Sequence, residues 1–175
     1  MQILQAFRYR LDPTPEQETL FRKTAGCCRW VYNWGLAQRR MAWAAEQKTL
    51  GYTALANQLP GLKRAVETLW LLEVPSHCLQ QALRDLDQAH QNFFGDLAKV
   101  KPGALRSQDV RRPRFRKKGQ RDSFRFPDPT QIRLEGNRLF LPKARWVRCA
   151  RSPWCVTGSI GTPRSSRLAR SPRPW

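Results

Sequence analysis

The first hundred residues open with a strand pattern and continue with helical ones. Apolar side chains occupy alternate positions in residues 1–11, at Ile3, Phe7, Tyr9 and Leu11, with Gln5 as the exception. This alternation predicts a strand with one buried face, which Asp12-Pro13 ends.

A long helix is predicted directly afterwards. Thr14 is suited to the N-cap, Pro15 to the first helical position, and Gln17 to the reciprocal position of a capping box. Apolar or small residues then recur at the spacing of a helix face, which carries the helix to about Gln47; they are Leu20, Thr24, Cys27, Val31 and Trp34. We expect the arginines and lysine on this helix to be solvated surface charges: Arg22, Lys23, Arg29, Arg39 and Arg40.

Two further helical regions follow a break at residues 50–53. Thr53 can cap a short helix that ends near residues 59–61, and a second helical piece is expected from Leu62 to about Leu72. Ser76 is a candidate N-cap for a second long helix over residues 77–97. Its stripe contains one polar member; the positions are Leu79, Leu83, Leu86, His90, Phe93 and Leu97.

The pattern becomes β-like near the C-terminal end. Residues 99–110 lose periodicity and contain Pro102 and Gly103, which indicates a linker. Ser123–Phe126 is a candidate strand, and residues 132–141 predict a hairpin whose turn contains Gly136. The order strand, helices, strands predicts an α+β protein in which a helical bundle is inserted into a small β domain.

Charge is distributed unevenly over the 175 residues. The net charge of +19 divides into +3 for residues 1–100 and +16 for residues 101–175. The C-terminal part therefore suits a polyanion. No apolar run reaches the roughly 18–20 residues of a membrane span, and the N-terminus lacks a signal pattern, so we expect no membrane association and a cytoplasmic protein, nucleoid-associated if it binds DNA.

The most basic stretch is residues 110–126, VRRPRFRKKGQRDSFRF, which we call the strap. It holds eight Lys or Arg and three Phe. Such density neutralises phosphates, and the rings offer faces for bases or anchors for the strap itself. A solvated, disordered linker is the alternative, since basic runs often have no defined structure.

Cysteine and histidine do not indicate a metal or cofactor site. The five cysteines include no CxxC pair, so buried thiols are expected rather than disulfides or a zinc ribbon. His90 has no Cys, Asp or second His at metal-ligand spacing and is expected to be a half-buried packing residue. His77 is expected to be exposed. We therefore expect neither a bound metal nor a cofactor.

Four blocks in order and spacing resemble the front part of the OrfB/TnpB family of insertion-sequence proteins. They are residues 29–37 (RWVYNWGLA), residues 79–94 with LQQALRDL and FF, residues 112–118 (RPRFRKK) and residues 141–143 (LPK). The resemblance covers residues 1–148. Proteins of this family are described as transposases with an N-terminal helix-turn-helix domain, and characterised members are RNA-guided DNA endonucleases.

This resemblance implies an α-helical recognition lobe inserted into a small, incomplete wedge-like β-barrel. Residues 1–12 would form the first barrel strand, 13–99 the lobe, 100–119 a basic connector and 120–148 the returning strands. In that arrangement the strap is an ordered connector beside a nucleic-acid backbone, and Phe115, Phe124 and Phe126 are anchors in the barrel rather than stacking platforms.

The resemblance also implies the partners, an element-derived guide RNA and a transposon-adjacent DNA motif. Tyr52 and Gln80 match positions used to read that motif, Ser123 is a weaker candidate, and His77 stands where relatives often have basic or apolar residues. The complete set of candidate nucleic-acid-binding residues is Tyr52, His77, Gln80, Arg111, Arg112, Arg114, Arg116, Lys117, Lys118, Arg121, Ser123 and Arg125.

Cleavage in the family requires a RuvC-type Asp-Glu-Asp metal site. After Lys99 the only acids are Asp109, Asp122, Asp128 and Glu135, all in predicted linker, strap or hairpin. We therefore expect no catalytic residues and no enzyme activity. Residues 149–175 lack strand or helix periodicity and are expected to be a disordered tail resembling the product of a shifted reading frame.

Three functions follow as hypotheses. The first is a nucleic-acid-binding N-terminal part of a TnpB-type protein without the nuclease. The second is a stand-alone helix-turn-helix DNA-binding protein, and the third is a remnant without function. A helix-turn-helix needs a short turn, whereas residues 14–47 predict one nearly continuous helix. We expect Gly26 to ease close packing within it, with a turn at Gly26 as the alternative.

Overall fold

The computed structural model describes residues 7–100, 106, 109–120 and 122–151. Its elements are β1 (Tyr9–Asp12), α1 (Pro15–Glu46), α2 (Tyr52–Ala56), α3 (Leu59–Arg64), a 3₁₀ segment (Val66–Glu73), α4 (Ser76–Val100), a short 3₁₀ turn (Pro129–Gln131), β2 (Arg133–Glu135), β3 (Arg138–Leu141) and β4 (Arg145–Arg151). The chain therefore combines helices with a small antiparallel sheet, which confirms the α+β class.

Helix α1 begins with the predicted capping box. The Thr14 hydroxyl accepts a hydrogen bond from the Gln17 amide at 3.3 Å, and the Gln17 side chain accepts from the Thr14 amide at 3.1 Å. Gln17 Nε2 also donates to the carbonyls of Ala144 and Trp146 at 3.0 Å each, so one side chain both caps the helix and fixes it to the sheet. The helix continues without interruption to Glu46, as the stripe predicted.

The segment between α1 and α4 differs from the prediction in its boundaries. Gly51, not Thr53, occupies the N-cap of α2, and Thr53 lies inside that helix. Pro60 and Gly61 were expected to end a helix but lie in the first turn of α3, where proline is tolerated because its missing amide would have no intrahelical partner. The following residues form the 3₁₀ segment rather than α-helix.

Helices α1 and α4 form the main packing pair, and they run parallel. Cys28 contacts Cys78, Gly35 contacts Leu83 and Leu86, and Arg39 pairs with Asp87. The residue numbers of the contacting pairs therefore increase in the same direction along both helices. Residues 47–75 return the chain to the starting end. A Cβ added at Gly35 would lie 2.9 Å from Leu83 Cδ2 and 3.0 Å from Leu86 Cδ2.

Gly35 is therefore the glycine that permits close packing. The expectation for Gly26 is wrong, because a Cβ there would approach only the tip of Arg29, at 3.9 Å, and no turn interrupts α1. α4 spans the predicted region, with Ser76 as its first helical residue.

Within the described residues, the sheet has four antiparallel strands in the order β1-β4-β3-β2 and is open. β2 and β3 form the predicted hairpin, with Gly136 at a φ of 55° in its turn. Ser123–Phe126 was predicted to be a strand but pairs with no strand of the described residues. β4 extends three residues into the predicted tail, with Cys149 buried opposite Leu11. The other tail residues, 152–175, lie outside the described part, as do Ile3 and the start of the predicted first strand.

Two apolar cores lie on either side of the strap's end. The larger core joins α1, α2 and α4, and the smaller one joins Phe21 of α1 to Leu141, Ala144 and Val147 of the sheet. Phe124 and Phe126 pack against both cores, with their ring centroids 5.6 Å apart. Their predicted role as anchors is confirmed. No helix among the described residues is long and apolar enough to cross a membrane.

Candidate nucleic-acid interface

Asn33 of α1 binds the backbone of the strap. Asn33 Oδ1 accepts a hydrogen bond from the Arg116 amide at 2.8 Å, and Asn33 Nδ2 donates to the Arg116 carbonyl at 3.0 Å. The side-chain amide thus satisfies both backbone groups of one strap residue, as a neighbouring strand would.

One carboxylate on α4 binds the strap a second time. Asp85 accepts from Arg125 Nη2 at 3.3 Å and lies 3.8 Å from Arg116 Nη2. Gln81 Nε2, 2.8 Å from Asp85 Oδ1, fixes the carboxylate from the preceding turn. The guanidinium of Arg116 also lies 3.8 Å from the centre of the Tyr32 ring, a cation–π geometry.

Further contacts continue along both ends of the strap. Arg40 lies 4.7 Å from the centre of the Phe115 ring and donates to the Pro113 carbonyl at 3.4 Å. Asp122 pairs with Arg29 of α1 at 2.6 Å. These contacts contradict a free, solvated linker in the described part of the strap. Phe115 lies beside Arg40 of α1 and is 46% exposed to solvent. The expectation that it anchors the barrel is therefore wrong.

The strap cations therefore divide into two groups. Arg116 and Arg125 are engaged with Asp85, and Arg112 lies over Phe93 of α4, with its guanidinium 5.8 Å from the ring centre. The remaining described cations are exposed and form no ion pair with a described residue; they are Arg111, Arg114, Lys117 and Lys118. Arg121 lies outside the described residues.

The predicted motif-reading residues lie on and beside one face of α4. His77, Gln80 and Arg84 follow one another at three- and four-residue spacing, which places them on the same helix face. The Arg84 guanidinium lies 5.2 Å from the centre of the Tyr52 ring, and His77 Nδ1 lies 3.1 Å from Gln131 Nε2. Tyr52, His77 and Gln80 are thus brought to one region, and His77 is half-buried rather than exposed.

A cleft joins this helix face to the strap. Its volume is about 550 Å³, and its lining includes Arg84 and Gln88 of α4 together with Arg116 and Arg125 of the strap. Ser123 lies elsewhere on the strap, where it lines a small cleft with Arg29 and Asp122. The candidate residues thus form two neighbouring groups.

Sequence reasoning missed several residues that build this region, namely Asn33, Asp85 and Arg84. It also placed Arg39 wrongly, since this arginine is only 6% exposed and pairs with Asp87. The buried positions Val31, Gly35 and Arg39 continue one helical period, so the periodicity itself could have placed Arg39 inside.

No group of three His, Cys, Asp or Glu side chains that could hold a metal occurs in the described ranges. Asp122 pairs with Arg29, and Asp128 caps the turn at Thr130. The cysteines at 27, 28, 78 and 149 are free and buried, as expected. Burial raises the pKa of Cys27 to about 11 and that of Cys78 to about 12, so these thiols stay protonated.

His90 packs at the α1–α4 contact, as predicted. Its Nδ1 lies 3.0 Å from the Leu86 carbonyl and donates to it in the neutral ring. Burial lowers the pKa of His90, with Arg39 and Arg40 acting in the same direction and the Leu86 bond and Asp87 opposing. The ring is therefore a neutral packing group at physiological pH.

Comparison with known proteins matches these features to one family. Residues 1–48 match the OrfB_IS605 helix-turn-helix domain. The chain is 40% identical over 160 residues to the Escherichia coli K12 protein named "Putative RNA-guided DNA endonuclease InsQ", covering 91% of this chain and 37% of that protein. A Streptomyces pristinaespiralis protein named "Putative RNA-guided DNA endonuclease" is 43% identical over 98 residues, covering 56% of this chain and 24% of that protein.

The chain thus spans little more than a third of the InsQ length. The family's domain name does not describe the local structure, since the matched residues contain β1 and the single helix α1 in their described part. The domain match and both relatives agree with the four sequence blocks, and the chain belongs to the OrfB/TnpB family, corresponding to its N-terminal part.

Proposed function

We propose that this chain is a nucleic-acid-binding N-terminal part of a TnpB-type protein, without the nuclease. The observation that carries the proposal is the fixed strap: Asn33 and Asp85 hold its backbone and two of its arginines, while five other described cations of the strap remain exposed. A strap ordered before binding loses less conformational entropy on contact with a phosphate backbone than a free tail does.

In this proposal the exposed strap cations contact the phosphates of an element-derived guide RNA. They are Arg111, Arg114, Lys117 and Lys118, joined by Arg121 and by Arg112 at the strap's start. Arg116 and Arg125 act mainly through Asp85, since charge-paired arginines contribute less to binding a further anion. Their part in the interface is then to hold the strap in position.

Reading of a transposon-adjacent DNA motif is assigned to the α4 face and its neighbours. A glutamine such as Gln80 can pair with two groups on the edge of one adenine. Tyr52 supplies an aromatic ring and a hydroxyl beside it, and His77 a ring held by Gln131. Ser123 would contact the nucleic acid from the strap.

The finer architecture belongs to the same proposal. The open sheet would be part of a wedge-like barrel, the helices from α1 to α4 the recognition lobe, and residues 100–119 the connector between them. The nuclease of the relatives would lie outside this chain. This fits the 37% coverage of InsQ.

A stand-alone helix-turn-helix protein is the second candidate, which the family's domain name favours. The uninterrupted α1 argues against it, because no turn separates a first helix from a recognition helix there. A remnant without function would bind all nucleic acids weakly and equally.

Binding to a structured insertion-element-end RNA and to a duplex DNA of equal length, each over a salt series, tests the proposal. We expect preference for the RNA and a steep loss of affinity with salt, because phosphate contacts release counterions. The triple variant Arg114→Ala, Lys117→Ala, Lys118→Ala should bind the RNA with a shallower dependence of log affinity on log salt concentration. The slope should fall by the amount that corresponds to about three phosphate contacts.

The matched control removes three exposed cations outside the strap, Arg64→Ala, Arg138→Ala and Arg148→Ala, and carries the same net charge. If both triple variants lose affinity equally, the strap is not the binding surface. Sequence-specific duplex binding would support the stand-alone protein, and equal weak binding to both probes the remnant.

A further inference from the structure

A second aromatic and basic surface lies away from the Asp85 cleft, where the C-terminal halves of α1 and α4 meet. Here the two helices enclose an open groove of about 550 Å³, which we call the aromatic groove. Its α1 side includes Leu36, Arg40 and Trp43, and its α4 side includes Phe93, Phe94 and Leu97. None of these residues was among the sequence-predicted sites.

Three apolar side chains of the aromatic groove are open to solvent. Trp43 is 58% exposed, Phe94 54% and Leu97 45%, although all three stand on long, well-packed helices. Large aromatic faces kept in water by a rigid scaffold are typical of ligand surfaces. Because both helices pack on the shared core, the backbone positions that carry these side chains are set before any ligand binds.

The charges around the aromatic groove select the kind of ligand. Arg40, Lys48 and Arg112 line it and are exposed, and Arg39 contributes a buried guanidinium whose Nε has no hydrogen-bond partner in the described structure. No Asp or Glu is among the described residues that line the groove, and Asp87, beside Arg39, is already paired with that arginine. The net charge of the groove lining is positive, so a polyanion with apolar faces complements the groove better than an apolar peptide.

The aromatic groove is also continuous with the strap. Arg112 and Pro113 line it, and Arg40 contacts both Pro113 and Phe115. A nucleic acid that follows the strap cations would reach Trp43 and Phe94 without leaving a positively charged path.

We propose that the aromatic groove binds unpaired nucleotides, with bases stacking on Trp43 and Phe94 and phosphates contacting Arg40, Lys48 and Arg112. This inference rests on the proposed nucleic-acid function and adds to it a class of ligand, the single-stranded segment. Base–aromatic stacking requires bases freed from a duplex, and it tolerates any sequence because every base has a π-face.

Fluorescence anisotropy with two labelled eight-nucleotide strands tests the groove, one of thymidines and one with abasic sites throughout. The wild-type chain should bind the thymidine strand about tenfold more tightly, because only that strand can stack. Trp43→Ala and Phe94→Ala should each bring the two affinities closer together, and the double variant should make them equal. Trp43→Phe should keep most of the difference.

Leu72→Ala is the control, since Leu72 is a 53% exposed apolar residue of the 3₁₀ segment. It should leave the thymidine preference unchanged. If the wild type binds both strands equally, or if Trp43→Ala and Phe94→Ala keep the full preference, the groove proposal is overturned while the proposed function stands. If neither strand nor the structured RNA binds, the proposed function itself fails.

A second copy of the chain is the other occupant to exclude. Sedimentation velocity of the free protein should show a monomer for the wild type and for Trp43→Ala. A dimer that dissociates on this substitution, with the thymidine preference unaffected, would assign the groove to self-association and overturn the proposal.

Discussion

The side chain of Asn33 bonds both the amide and the carbonyl of Arg116, at 2.8 and 3.0 Å, and so joins helix α1 to a residue 83 positions later in the chain. A side-chain amide can accept a hydrogen bond through its oxygen and donate one through its nitrogen, so it can bind the N–H and the C=O of the same residue. The basic strap owes its defined path to this contact and to Asp85.

Replacing Asn33 should release the strap. Asn33→Ala leaves both Arg116 backbone groups without a partner in a partly buried position, so we expect a loss of about 1–2 kcal/mol in the free energy of unfolding. Asn33→Asp should also destabilise, because a carboxylate cannot donate to the carbonyl. Urea denaturation measures the loss, and hydrogen exchange at the Arg116 amide locates it.

The control for this substitution is Asn92→Ala, on the exposed surface of α4. Its stability should stay within about 0.5 kcal/mol of wild type. Equal losses for the two variants would show that the Asn33 contact does not hold the strap.

The two glycines of α1 should respond in opposite directions to alanine. Gly26→Ala meets only the tip of Arg29, at an ordinary contact distance of 3.9 Å, and should stabilise by up to about 1 kcal/mol through helix propensity. Gly35→Ala crowds Leu83 and Leu86, both fully buried, and overpacking costs about 1–3 kcal/mol. Thermal or urea unfolding of the two variants should therefore rank Gly26→Ala above Gly35→Ala, and the reverse order would contradict the close packing of α1 on α4.

Stability should depend on pH through His90. Burial holds its pKa below the ordinary value of about 6.5, so the unfolded chain takes up a proton before the folded one. The stabilisation is therefore present above the unfolded pKa and is lost as pH falls from about 6.5 through the lower folded pKa.

Urea denaturation of wild type and His90→Gln between pH 7.5 and 5 measures this effect. The stability advantage of wild type over the variant should shrink on acidification, because glutamine does not titrate. The remaining histidine provides the comparison, and His77→Gln should keep the pH dependence that His90 causes. A constant difference between wild type and His90→Gln would refute the assignment.

The open edge of the sheet should be the least protected part of the described β structure. β2 contributes three exposed residues and, among the described strands, pairs only with β3. Its amides should exchange hydrogen much faster than those of the buried α4 residues Leu83 and Leu86, since edge strands open locally. Equal protection in the two places would indicate that β2 has a partner in solution.

Local sequence signals were sufficient for several elements. The capping box at Thr14, the long stripes of α1 and α4 and the glycine turn of the hairpin each depend on neighbouring residues, and the structure contains all three. No separate strand was predicted from the residue pattern of β4, because its partner β1 lies far away in the sequence and its own basic sequence resembles the tail.

Side-chain contacts over long separations could not be predicted. Nothing local marks Asp85 as the partner of two arginines that follow it by 31 and 40 residues, or Gly35 as the closest approach of α1 to α4. Arg39 was predicted to be exposed because it is an arginine, although its position in the helical period matches the buried face of α1. Of the candidate site, sequence indicated the strap and the α4 positions, whereas the aromatic groove arises from the parallel packing of two helices.

The pairing of β1 with β4 sets an order for synthesis. Arg10 pairs with Ala150, so one edge of the sheet leaves the ribosome about 140 residues before its partner. At about 5–20 residues per second this interval lasts roughly 7–28 s. The helices from α1 to α4 are made within it and can pack on one another first, so the sheet is completed last, and a ribosome stalled before residue 145 would leave β1 with no strand to join.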